Sequence, residues 1–131
     1  MLFLLLAPMF VHAQLPQTDQ RWVLVSGNSQ AEQLTYVDKQ TIKINDDFEG
    51  HEKVYLIWVR VYQKLPNGKY SKQIEARMAF DLIEAQYEIK SAIAYKNGKT
   101  TNAQGEVLNW QDIAPETVGE FVLNYCKKLN Q

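Results

Sequence analysis

The chain has 131 residues, 46% of them hydrophobic and 22% charged, with a formal net charge of −1. That length allows one domain with one core. The charge gives no basic field for nucleic acid and no polybasic membrane patch. The single cysteine, Cys126, leaves no intrachain disulfide and no cysteine-based metal site.

Residues 1–13 read as a signal peptide and not as part of the fold. LFLLLAPMF is a short apolar block, and Val11-His12-Ala13 supplies small residues where a signal peptidase reads, so cleavage is expected after Ala13. The block is too short to span a bilayer, and no second long apolar run follows, so no transmembrane segment remains after cleavage. A positive leader is missing, and a buried N-terminal strand is the alternative. Residues 14–20 read as a flexible N-terminus and residues 21–131 as the folded domain.

Arg21 to Ser26 reads as a short strand broken by Gly27-Asn28-Ser29. Leu34 to Val37 and Thr41 to Ile44 read as two more, joined by a turn that the Asp38 side chain caps on the backbone. Asn45 to Glu52 is an acidic loop. Carboxylates around Gly50 could hold a hard cation, but the calcium-loop spacing is not met, and a solvated turn is the better reading.

The organising stretch runs from Lys53 to Asp81. KVYLIWVRVYQ is β-branched and aromatic, with no Gly or Pro, and predicts a strand. Pro66-Asn67-Gly68 closes a three-residue hairpin loop that pairs Leu65 with Lys69. Carried along without interruption, that register sets Val54 against Phe80, Leu56 against Met78, Trp58 against Ala76 and Arg60 against Ile74. Tyr55, Ile57, Val59 and Val61 then share the other face with Glu75, Arg77, Ala79 and Asp81. An apolar strip rimmed by charge fits a protein-binding surface, including a homodimer packed sheet on sheet. Tyr55, Ile57, Val59, Val61 and Arg77 are the candidate binding residues. The competing reading is that a neighbouring strand, a loop or the Trp22 segment covers the strip.

Gln73 to Lys90 is rich in helix formers, yet period two runs from Ile74 to Leu82 and resumes in the other phase at Ala85. Two strands and a short turn fit this better than one long helix. Asn97-Gly98 predicts a hairpin returning Lys99 to Asn102, then a loop to Gly105 and an edge strand from Val107 to Trp110. The chain ends in a helix that opens at Pro115. Its apolar stripe is Val118, Phe121, Val122, Tyr125, Cys126 and Leu129. The fold class is therefore α+β: a single antiparallel sheet of about six strands, with a C-terminal helix packed on the Val54/Leu56/Trp58/Met78/Phe80 face.

Catalytic chemistry is thin. Once the leader is removed, His51 is the lone histidine, and no HExxH, P-loop or dinucleotide fingerprint occurs. Cys126 sits on the apolar stripe as a buried thiol. A small hydrolase using paired carboxylates is the residual enzymatic reading.

In order along the chain come RW at Arg21-Trp22, YVD at Tyr36 to Asp38 with TI at Thr41-Ile42, and YLIWVR at Tyr55 to Arg60. AFD at Ala79 to Asp81, YEIKSAIAYKNGK at Tyr87 to Lys99, NWQDIAPETVGE at Asn109 to Glu120 and the late Cys126 follow. This ordered set resembles the surface-adhesin protein E family of bacterial envelope proteins, over about Arg21 to Cys126. The resemblance implies a small α+β domain, exported to the periplasm or cell surface, with no enzyme activity and no cofactor. It implies host matrix or serum proteins such as laminin, vitronectin and plasminogen as partners, and dimer formation. The alternative is a periplasmic or secreted accessory protein of the same fold without adhesive activity. Two positions depart from the family pattern. Leu82 stands where relatives carry a second cysteine, and is expected to pack near Cys126. No cysteine follows the apolar block to take a lipid anchor. The resemblance assigns no ligand-binding residue.

Overall fold

The computed structural model describes residues 15–16, 20–96, 98–104 and 108–131, with backbone alone for 102–104 and 108. The expected leader (residues 1–13) lies outside them. Among the described residues eight strands form one sheet: β1 (Trp22–Ser26), β2 (Gln33–Asp38), β3 (Lys43–Asn45), β4 (Val54–Lys64), β5 (Tyr70–Asp81), β6 (Gln86–Lys96), β7 (Lys99–Gln104) and β8 (Leu108–Asp112). One helix follows, α1 (Val118–Leu129). The spatial order is β1-β2-β4-β5-β6-β7, with β3 also on β4 and β8 also on β6, and every pairing is antiparallel. The α+β class stands; the strand count exceeds the expected six. Among the described residues no helix is long and apolar enough to cross a membrane.

The β4–β5 hairpin closes as its turn residues require. Leu65 N donates to Lys69 O at 2.7 Å, Gly68 N to Leu65 O at 2.9 Å, and Lys69 N to Asn67 Oδ1 at 2.9 Å. The register from the turn holds as far as Tyr62 opposite Lys72. There the ladder slips: Val61 lies opposite Ile74, and Gln73 is the extra residue of a bulge. Beyond it Arg60 meets Glu75, Trp58 meets Arg77, Ile57 meets Met78, Tyr55 meets Phe80 and Val54 meets Asp81. A slip of one residue exchanges the two faces of a strand relative to its partner.

That slip corrects the assignment of the sheet's faces. Tyr55, Ile57, Val59 and Val61 form the buried core with Ala76, Met78, Phe80 and, from α1, Val122, Leu123 and Cys126. They lie on the α1 side of the sheet, where their side chains pack within the chain itself, Val59 and Val61 at the edge of an apolar groove. Trp58 is on the opposite side, packed against the cluster of Trp22, Leu34, Tyr36 and Tyr62. Val54 and Leu56 also lie there, with Ala79, Phe48 and Trp110. Leu82 packs against the core cluster that includes Cys126. Leu15 packs against the Trp22 cluster.

Asp81 builds the β5–β6 turn: its Oδ1 accepts from Ile83 N and Glu84 N, each at 2.9 Å. Ala85, with φ of +53°, completes the phase change between the two strands. β7 runs on to Gln104, past the expected strand end at Asn102. β8 begins at Leu108 and pairs with β6. Val107, expected to open it, lies outside the described residues, as does Asn97.

α1 starts at Val118, not at Pro115. Glu116 has φ of +61°, which breaks the helix before it, and Thr117 is the N-cap, its side chain accepting from Glu120 N at 3.3 Å. Thr117 and Glu120 are spaced as a capping box; the glutamate carboxylate accepts from Glu116 N at 3.1 Å. The buried helix face is Gly119, Val122, Leu123 and Cys126, while Leu129 is exposed. α1 lies nearest β1 and β2. A helix about 10 Å wide cannot cover six strands spaced about 4.8 Å apart. The β5–β6 half of this side is therefore an apolar groove of about 420 Å³, with Val61, Ile74, Met78, Ile89 and Val118 in its walls.

Candidate interaction face on the open side of the sheet

Strand alternation after the bulge decides which side chains reach the side away from α1. Successive rows across β4, β5 and β6 are Arg60–Glu75–Ile93, Trp58–Arg77–Ser91 and Leu56–Ala79–Glu88. Tyr36 of β2 and Leu24 of β1 continue the first row, and the Trp22–Asp38 pair lies two residues further along the same face. The Arg60 guanidinium lies 3.8 Å from the centre of the Trp22 ring, and its Nε donates to Glu75 Oε1 at 3.0 Å. Glu75 also accepts from Tyr95 Oη at 3.2 Å and lies 3.6 Å from Lys72 Nζ. Lys72 Nζ in turn is 4.2 Å from the Tyr95 ring centre. These contacts hold cations and aromatic rings in one arrangement.

A cleft of about 280 Å³ opens between Trp22 and Trp58, with Arg21, Arg60, Glu75 and Ile93 around it. Its floor acid is Asp38, 1% exposed. Arg21 donates to Asp38 from Nε at 3.1 Å and Nη2 at 2.9 Å, and Gln40 N donates to Oδ1 at 3.0 Å. Burial alone would raise the Asp38 carboxyl; the Arg21 guanidinium and the Gln40 amide outweigh it and hold the group below the usual range. The turn cap expected for Asp38 is present, with an ion pair added.

The other end of the face is closed. The acidic loop folds into a hairpin across it. Phe48 and His51 exchange backbone hydrogen bonds at 2.9 and 2.8 Å around Glu49 and Gly50, both at positive φ. His51 stacks on Trp110 at 3.9 Å, and its Nδ1 lies 2.6 Å from Asp81 Oδ2. Burial would raise Asp81, but the Glu84 amide, His51 and the Ile83 amide outweigh it and leave it lowered. Lys90 Nζ bridges Glu49 at 2.7 Å and Glu88 at 3.1 Å. Glu88, 3% exposed, is raised by its burial and by the neighbouring Glu49 carboxylate. The His51–Asp81 pair has the geometry of an oriented general base. Within the described contacts the ring is spent on Trp110 and Asp81, and no hydroxyl or thiol nucleophile is hydrogen-bonded to it. Cys126 is fully buried in the helix core, which pushes its thiol up to about 12. No cluster of metal-ligating side chains occurs among the described residues.

Of the five residues the sequence nominates for binding, only Arg77 is on the open side. Tyr55, Ile57, Val59 and Val61 are between 1% and 5% exposed on the α1 side of the sheet. The structure instead brings Trp22, Trp58, Arg60, Glu75 and Tyr95 to Arg77's side of the sheet. The hydrophobic pattern contained the needed signal. Ile74, Ala76, Met78 and Phe80 match Tyr55, Ile57, Val59 and Val61 as a pair of apolar edges better than they match Val54, Leu56, Trp58 and Arg60. No family model, curated protein or solved structure matches this chain.

Proposed function

We propose that this chain is an exported, non-enzymatic protein-binding domain of the surface-adhesin E type, and that it binds through the open side of the sheet. The observation that carries this reading is the cleft between Trp22 and Trp58, with Arg60 set over Trp22 and tied to Glu75. Trp, Tyr and Arg are the residues that dominate binding energy at protein interfaces. Here they stand on paired strands, so little ordering entropy is lost on association. The apolar block before Ala13 supports export. The ordered sequence motifs support host matrix or serum proteins as the partner class.

The test is a binding screen of the chain against immobilised laminin, vitronectin and plasminogen. Trp58→Ala and Arg60→Ala are each expected to weaken binding at least tenfold. Ala114→Glu, an exposed change on the helix side of the sheet, is expected to leave it unchanged. Binding to none of the three, or binding lost only through the helix-side change, contradicts the reading.

A further inference from the structure

The row Trp58–Arg77–Ser91 crosses the middle of the open side, next to the cleft. Arg77 differs from the cations around it. Arg21 is paired with Asp38, Arg60 and Lys72 share Glu75, and Lys90 holds Glu49 and Glu88. Among the described residues no acid lies within ion-pair distance of Arg77. The nearest acids along the face, Glu75 and Glu88, occupy the rows on either side and are engaged by those other cations. The cleft's own lining is balanced, Arg21 and Arg60 against Asp38 and Glu75, while Lys72 beside Glu75 and Arg77 opposite Trp58 add positive charge next to it, in a chain whose net charge is −1. The positive excess is thus local, and its unpaired member sits on a rigid strand with an indole as cross-strand neighbour.

We infer that Arg77 is a carboxylate-binding residue, and that the partner presents an acidic segment: an Asp or Glu side chain on Arg77 and an adjacent apolar side chain in the Trp22–Trp58 cleft. A guanidinium takes a carboxylate through two parallel N–H···O bonds, which an ammonium cannot reproduce. The half-buried setting beside Trp58 reduces the competition from water. Cross-strand spacing of about 5 Å puts the cleft within reach of the side chain next to the bound acid. This inference rests on the open side being the binding surface.

The experiment uses the full chain and three probes: a short fluorescein-labelled peptide alternating glutamate and leucine, its glutamine counterpart, and an unlabelled heparin oligosaccharide. Anisotropy titrations are expected to show the glutamate peptide binding at least tenfold tighter than the glutamine one. Arg77→Gln abolishes that preference, and Arg77→Lys retains part of it. Trp58→Ala weakens both peptides alike and leaves the ratio in place. Thermal unfolding of each variant confirms that it folds. Equal binding of the two peptides, no binding of either, or a preference that survives Arg77→Gln overturns the inference. Heparin displacing the peptide through Arg77 with higher affinity also overturns it, in favour of a sulfated polysaccharide. Matrix-protein binding that still depends on Trp58 while Arg77→Gln has no effect would remove the Arg77 inference alone. Binding indifferent to both residues would remove the open-side reading itself.

Discussion

His51 Nδ1 and Asp81 Oδ2 lie 2.6 Å apart across 30 residues of sequence, and this contact ties the Phe48–His51 hairpin to the turn between β5 and β6. Asp81 does three jobs there, since its other oxygen holds the Ile83 and Glu84 amides. Asp81→Ala removes the acceptor of both turn amides and the partner of His51, and is expected to cost about 1–3 kcal/mol. Denaturant midpoints of Asp81→Ala and His51→Ala compare the roles: the histidine change should cost less, because the turn amides keep their acceptor.

The same two acids shape the response to pH. Asp38 and Asp81 both have folded pKa values lowered from 3.8. Their contribution is therefore present above about pH 3.8 and is lost as pH falls through the lowered folded values. Glu88, raised by burial, acts in the opposite sense: its protonated form suits the fold, so its contribution is lost as pH rises through its raised value. Stability followed by thermal unfolding should fall steeply below about pH 4. Asp38→Asn combined with Asp81→Asn should flatten that limb. An unchanged limb would show that other groups drive acid unfolding.

Two glycines are expected to respond in opposite directions. A Cβ on Gly119 would meet Ile113 Cγ2 and Thr117 Oγ1 at 3.6 Å and Tyr87 Cδ1 at 3.7 Å, ordinary contact distances. Gly119→Ala should stabilise the protein by about 0.5–1 kcal/mol through helix propensity. Gly27 has φ of +107°, and a Cβ there would lie 2.7 Å from Gln33 O. Gly27→Ala should cost about 1–3 kcal/mol. Urea titrations of the two variants check both signs.

Deleting Gln73 should be tolerated. It is the extra residue of the bulge, and its removal lets Lys72 and Ile74 follow one another opposite Tyr62 and Val61. Every other side chain keeps its face. The expected change in stability is within about 1–2 kcal/mol, read from denaturant unfolding with the amide NMR pattern of β4 retained. A deletion variant that fails to fold would show that the bulge supplies a twist the sheet requires.

The bulge also marks where local turn chemistry stops being a guide and only the apolar matching of β4 to β5 across it remains. Local chemistry was readable: Pro66-Asn67-Gly68 closes its loop, Asp38 caps its turn, and the alternation changes phase before Ala85 because a turn intervenes. Thr117 and Glu120 carried a capping signal that Pro115 masked. Gln73 carried none, since a polar residue near the start of a strand fits paired and bulged positions equally well. One unreadable residue was enough to exchange the faces of β4, and with them four of the five nominated binding residues. The pairings of Phe48, His51 and Glu49 with Trp110, Asp81 and Lys90 join segments far apart in sequence, and no local pattern announces them.

The most direct test concerns Trp58. With isotope-labelled protein, nuclear Overhauser contacts from the Trp58 indole protons report which side of the sheet it occupies. The account predicts contacts to its cluster neighbours Trp22, Leu34, Tyr36 and Tyr62 and none to α1. Contacts from Trp58 to Val122, Leu123 or Cys126 would contradict it, and would return the face of Tyr55, Ile57, Val59 and Val61 to solvent.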